Sequence, residues 1–89
     1  MNITKDIDEY RTIRYCNEQG QYHREDGPAI EWANGDKSWF LNGNRHREDG
    51  PAIEYANGDK SWYLDGKQIT EQEFNNLMLK KRLKRILEL

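Results

Sequence analysis

The chain has 89 residues, 35% of them hydrophobic and 34% charged, with a net charge of −2 and one cysteine. That length bounds it to a single domain with a small core, and a lone Cys16 excludes an internal disulfide, while three Trp, five Tyr and two Phe supply too much ring area for a disordered chain. Residues 1–69 carry nine Lys and Arg against thirteen Asp and Glu, which argues against a nucleic-acid partner; with no leader-like or membrane-length apolar run, the expectation is a cytoplasmic protein with no membrane partner.

Residues 1–10, MNITKDIDEY, show no sustained period and predict no particular element. The run RTIRYC from Arg11 is β-branched and aromatic and predicts a strand, after which residues 17–20 read as a turn leading back through Gln21, Tyr22 and His23. Residues 23–41, HREDGPAIEWANGDKSWFL, then return at 46–64 as HREDGPAIEYANGDKSWYL. The shift is 23 residues, and the two changed positions of nineteen swap one aromatic for another. Gly20, Gly43 and Gly66 share this ruler, as do Gly27 with Gly50 and Gly35 with Gly58, so bends recur at fixed intervals. A period in the twenties marks an array whose units bury their apolar faces against one another. The chain accordingly divides into an N-terminal cap and degenerate repeat (1–22), two full repeats (23–45 and 46–69) and a C-terminal capping helix (70–89).

Within the repeats, Asn34-Gly35, Asn42-Gly43, Asn57-Gly58 and Asp65-Gly66 are dipeptides favoured in two-residue type I′ hairpins, and they predict strands of about six residues between them. Such a turn at Asn34-Gly35 pairs Trp32 with Lys37, Ile30 with Trp39 and Pro28 with Leu41 on one face. Ala29, Glu31, Ser38 and Phe40 then share the other face, and Trp39 and Trp62 belong to the core. The same turn at Asn42-Gly43 sets Arg45 opposite Phe40 and His46 opposite Trp39. The expected fold is mainly β, an antiparallel meander of about six to eight short strands arranged as stacked hairpin repeats and capped by a C-terminal α-helix.

Thr70-Glu71-Gln72-Glu73 has the form of a capping box and predicts a helix from Glu71. Phe74, Leu77 and Met78 lie on one side of it, placed to cover the sheet end where a third HREDGPA would begin. Leu79, Leu83, Ile86 and Leu87 form a second stripe that one sheet cannot also cover. Residues 80–85 put five cations into six positions, where they oppose the helix dipole and could also meet phosphates.

The residues WFLNGNRH and YANGDKS, on a 23-residue period, resemble MORN repeats over roughly residues 11–69. Ordinary MORN units run H-G-x-G after the turn. Here His46 is followed by Arg47-Glu48-Asp49-Gly50-Pro51-Ala52, which is similar to the MORN-variant repeats of phage, prophage and antitoxin-like bacterial proteins. The resemblance implies stacked β-hairpins that bind protein or lipid, often as dimers, with no shared enzymatic activity.

His23-Arg24-Glu25-Asp26 and its copy at 46–49 hold an imidazole, a guanidinium and two carboxylates, a set able to ligate a metal or do acid-base work. Against this, each unit has one His with no second at ligand spacing. Asp-Gly-Pro also reads as a turn, with the arginine free to stack on a neighbouring ring and the histidine packed and hydrogen-bonded. Cys16 has no His and acid around it and reads as a half-buried thiol. No catalytic residue, metal or cofactor is therefore assigned. The candidate partner-binding residues are Glu31, Phe40, Glu54 and Tyr63 on the less apolar sheet face, and Leu79, Lys80, Arg82, Leu83, Ile86 and Leu87 on the helix. The expected function is that of a non-enzymatic protein-binding module, a small phage- or bacteria-encoded inhibitor or adaptor that blocks a host protein and dimerises through the helix. Two alternatives stand beside it: sequestration of a small anion or nucleotide by Arg24 and Arg47, and a metal-dependent hydrolase using His23 and His46.

Overall fold

A hairpin starts the sheet in the computed structural model, which describes residues 2–88. β1 (Thr4–Ile7) pairs antiparallel with β2 (Ile13–Cys16), and Asp8 shapes the turn between them. Its carboxylate accepts from the amides of Tyr10 (2.9 Å) and Thr12 (3.0 Å) and from Arg14 Nη1 (2.9 Å). The Thr12 amide first, and the Arg14 guanidinium second, hold the Asp8 carboxyl below its ordinary range. No hydrophobic pattern announces β1, because all four of its residues are exposed on an edge strand whose order comes from that turn.

The chain continues through β3 (Ile30–Glu31), β4 (Lys37–Ser38), β5 (Phe40–Leu41), β6 (Asn44–Arg45), β7 (Ile53–Glu54), β8 (Lys60–Leu64) and β9 (Lys67–Ile69) into helix α1 (Glu71–Leu87). Seven strands make one antiparallel sheet in the order β1-β2-β3-β4-β7-β8-β9, and β5-β6 is a separate hairpin between β4 and β7. The molecule is mainly β with one C-terminal helix, a slab of 49 × 33 × 19 Å. Nine strands are described rather than six to eight, and most are two residues long. Trp39 shows why. Its amide donates to the Ala52 carbonyl (2.7 Å) while its own carbonyl accepts from the His46 amide (3.1 Å), so one extended arm is shared between two neighbours and its ladder breaks.

Two of the four Asn/Asp-Gly pairs are type I′ turns. φ is positive at both residues of Asn42-Gly43 (49° and 85°) and of Asp65-Gly66 (51° and 83°), and Leu41 pairs with Asn44 and Leu64 with Lys67. Arg45 lies opposite Phe40 and His46 bonds Trp39, as that turn requires. At Asn34-Gly35 and Asn57-Gly58 only the glycine has positive φ (100° and 95°). There the Gly35 amide donates to the Trp32 carbonyl (3.0 Å) and the Trp32 amide to the Asp36 carbonyl (2.9 Å), closing a loop over residues 32–36 with Glu31 opposite Lys37. Asn34 Oδ1 accepts the Asp36 amide at 3.0 Å and Asn57 Oδ1 the Asp59 amide at 2.9 Å, and each Asn Nδ2 donates to the same Asp carboxylate at 3.2 Å, so the Asn side chain closes the longer loop.

That one-residue difference reverses which side chains share a face. Ile30, Ser38, Ile53 and Ser61 stand opposite one another in one row, and Glu31, Lys37, Glu54 and Lys60 form the adjacent row on the other side. Phe40 falls on the Ile30 side and is buried with Ala29, Ile30 and Ser38, with the Tyr22 ring 5.3 Å from its own. Trp39 and Trp62 are thus not core residues. Both are half-buried, and Trp39 lies on the side of Glu54 and Lys37.

Helix α1 begins as its sequence dictates: Thr70 Oγ1 accepts the Glu73 amide and Glu73 Oε1 accepts the Thr70 amide, both at 3.1 Å. The Thr70 amide holds the Glu73 carboxyl below its ordinary range. Phe74 is buried, Met78 half-buried and Leu77 exposed, so Phe74 does most of the covering. Because Phe40 is in the core and Trp39 is not, Phe40→Ala should cost about 3–5 kcal/mol and Trp39→Ala clearly less. Urea unfolding of the two variants checks this, and a larger loss for Trp39 would reverse the assignment of faces.

Candidate partner-binding surfaces

Each HREDGPAIE segment folds around its arginine. Arg24 Nε donates to Asp26 (2.9 Å) and Nη1 to the Pro28 carbonyl (3.2 Å) and Glu31 (3.4 Å), while the guanidinium lies 4.1 Å from the Tyr15 ring centroid. Arg47 repeats the pattern on Asp49 (2.7 Å), the Pro51 carbonyl (3.0 Å) and Glu54 (2.6 Å), 3.8 Å from the centroid of Trp39. A Cβ on Gly27 would sit 2.9 Å from the Arg24 guanidinium carbon, and one on Gly50 3.0 Å from that of Arg47. Those two glycines make room for a side chain; they do not serve an unusual φ.

The histidines are equally engaged. His23 Nδ1 accepts the Asn42 amide at 2.8 Å and His46 Nδ1 the Asp65 amide at 2.9 Å, so each imidazole fastens the first residue of the type I′ turn nineteen positions on. The opposite nitrogens face Glu25 (3.7 Å) and Glu48 (3.4 Å). Arg24 and Arg47 each meet two carboxylates and a carbonyl, and each imidazole has its Nδ1 taken by a backbone amide. Cys16 is a half-buried free thiol.

The four sheet residues expected to form one recognition strip do not share a surface. Glu31 and Glu54 lie on one side, paired to the arginines, while Phe40 is buried on the other and Tyr63 is half-buried there, with the Arg45 guanidinium 5.3 Å from the Phe40 ring and 5.6 Å from that of Tyr63. The cause is the loop at residues 32–36, which moved Glu31 off the Phe40 face. The helix set fares differently. Leu79, Leu83, Ile86 and Leu87 are 49%, 50%, 60% and 85% exposed, and Lys80 and Arg82 flank them in the open. No helix among the described residues is long and apolar enough to cross a membrane.

One tie was invisible in the sequence. Lys81, read there as a member of a basic run, forms an ion pair with Glu48 and fastens α1 to the second HRED loop. Lys81 first, then His46, hold the Glu48 carboxyl below its ordinary range. A lowered folded pKa contributes stability that is complete above the ordinary glutamate value of 4.5 and is lost as pH falls through the folded one. Thermal melts between about pH 7 and about pH 3 should therefore show a steeper acid loss in the wild type than in Glu48→Gln, by a small margin because the pair is half exposed. Gly50→Ala should displace Arg47 from Trp39 and destabilise by about 1–3 kcal/mol, a loss readable by denaturant unfolding and by a changed Trp39 indole resonance.

Compared with protein-family models, curated proteins and solved structures, the chain matches none of them.

Proposed function

We propose that this chain is a non-enzymatic protein-binding module that works as a dimer, its helices joined along Leu79, Leu83, Ile86 and Leu87. The observation that carries this reading is that stripe: four large apolar side chains on one helix, each at least 49% exposed. Burying a Leu or Ile contributes about 1.5–3 kcal/mol, so four per chain offset the ordering cost of association at micromolar concentrations. Five cations between 80 and 85 keep such a helix soluble before it pairs. The Arg47 guanidinium and the Nδ1 atoms of both histidines are engaged in holding the loops, which supports a structural role for these groups. In its most specific form, which draws on the resemblance to MORN-variant repeats, the module is a small cytoplasmic inhibitor or adaptor that occludes a host protein.

Light scattering at about 100 micromolar tests the assembly. The wild type should weigh two chains, and the Leu83→Asp, Ile86→Asp double variant one chain, with its β circular-dichroism signal unchanged. A wild-type mass of one chain overturns the dimer, and a variant that unfolds outright would return the stripe to the core.

A further inference from the structure

In two successive segments the arginine that follows the histidine sits on an aromatic ring, and among the described residues the third ring of that series has no such arginine. Tyr15 carries Arg24 and Trp39 carries Arg47. Trp62 stands where the next ring belongs: it pairs with Ile69 as Trp39 bonds His46, so Ile69 occupies the histidine's place and Thr70 the arginine's. Thr70 is committed to capping α1 and has no cation to offer. Beside Trp62 lies a hollow of about 430 Å³, also lined by Lys60, Ile69, Thr70, Glu71 and Glu73.

This hollow reproduces the charge of the filled seats. Arg47 sits between Asp49 and Glu54, with Lys37 opposite Glu54 in the strand row. The hollow has two carboxylates, Glu71 and Glu73, and the equivalent lysine, Lys60. Glu73 spends Oε1 on the Thr70 amide and has Lys67 in its neighbourhood, while among the described residues its other oxygen accepts no hydrogen bond. Lys60 and the nearby helix start, which contributes only about half a positive charge, together do not cancel the two carboxylates. The strand edge is open as well. Lys37 and Ser38 of β4 pair with β7, whereas β9 meets β8 only from Trp62 to Leu64, and among the described residues no strand pairs with the outer edge of Lys60 and Ser61.

We infer that the Trp62 hollow is a seat for an arginine side chain supplied by a partner protein. A guanidinium on the indole face, donating to Glu71 and Glu73, would complete the third seat as Arg24 and Arg47 complete the first two. The inference rests on the reading of the chain as a protein-binding module, but it concerns a different surface from the helix stripe.

The probe is N-acetyl-arginine amide, titrated into the intact protein and followed by the indole resonances of Trp32, Trp39 and Trp62. Saturable movement of Trp62 alone, in the millimolar range, is expected. N-acetyl-citrulline amide, which keeps the shape and loses the charge, should produce no saturation, and Glu71→Gln, at an exposed position outside the capping box, should weaken binding about three- to tenfold. A Trp62 resonance that stays fixed up to about 100 millimolar arginine amide, or that moves equally with citrulline, overturns the seat. Either result leaves the light-scattering outcome untouched, so failure of the seat and failure of the dimer are separately readable.

Discussion

A guanidinium laid on an aromatic ring and held between two carboxylates is the contact on which the rest of this sheet depends. Arg47 gathers Asp49 from its own loop, the Pro51 carbonyl from the strand entrance and Glu54 from β7, and presses all of them onto Trp39 of the neighbouring arm. A cation on a ring is worth about 0.5–2 kcal/mol, and charge-assisted hydrogen bonds are roughly twice as strong as neutral ones. Lysine could not do the same, since an ammonium has neither the plane to stack nor the fork to reach three acceptors at once. The surroundings follow from that plane. Glycine suits position 50 because a methyl there would come within 3.0 Å of the guanidinium carbon and make Arg47 shift, and Trp39 is half-buried with the guanidinium on one side of its ring.

Each unit is closed within itself and tied to the next. His23 fastens the Asn42 turn and His46 the Asp65 turn of its own segment, while Arg47 lies on Trp39 and Asp36 Oδ1 accepts the Ala56 amide at 2.7 Å, joining successive segments. Arg45 lies near both Phe40 and Tyr63, one ring from each full repeat. With so few fully buried side chains among the described residues, much of the order of this small chain resides in such bonds between neighbouring segments.

The helix, its capping box, the meander and the Asn42-Gly43 register were legible because each rests on a local rule with one strong outcome. Asn34-Gly35 was not, since the same dipeptide serves a two-residue turn and a longer loop, and here the Asn34 side chain closes the loop by accepting the Asp36 amide and donating to the Asp36 carboxylate. From that single loop came the reversed faces, the exposed reading of Phe40 and the core reading of Trp39. The first unit hid for another reason: eight positions separate Tyr15 from His23, whereas seven separate Trp39 from His46, so its bonds match but its spacing does not. Pairs such as Glu48 with Lys81 lie 33 residues apart and leave no periodic trace.

The row Glu31, Lys37, Glu54, Lys60 ends on a lysine that is placed just as Lys37 is, one repeat earlier. An acid-base alternation of this kind has no internal stop signal: whatever Lys37 offered to Glu54, Lys60 offers again to the next comer. What ends the array is therefore a change of secondary structure. By turning the chain into a helix at Thr70, the sequence acts as a polymer's chain terminator, and the number of repeats in such a molecule is set by where that switch is written.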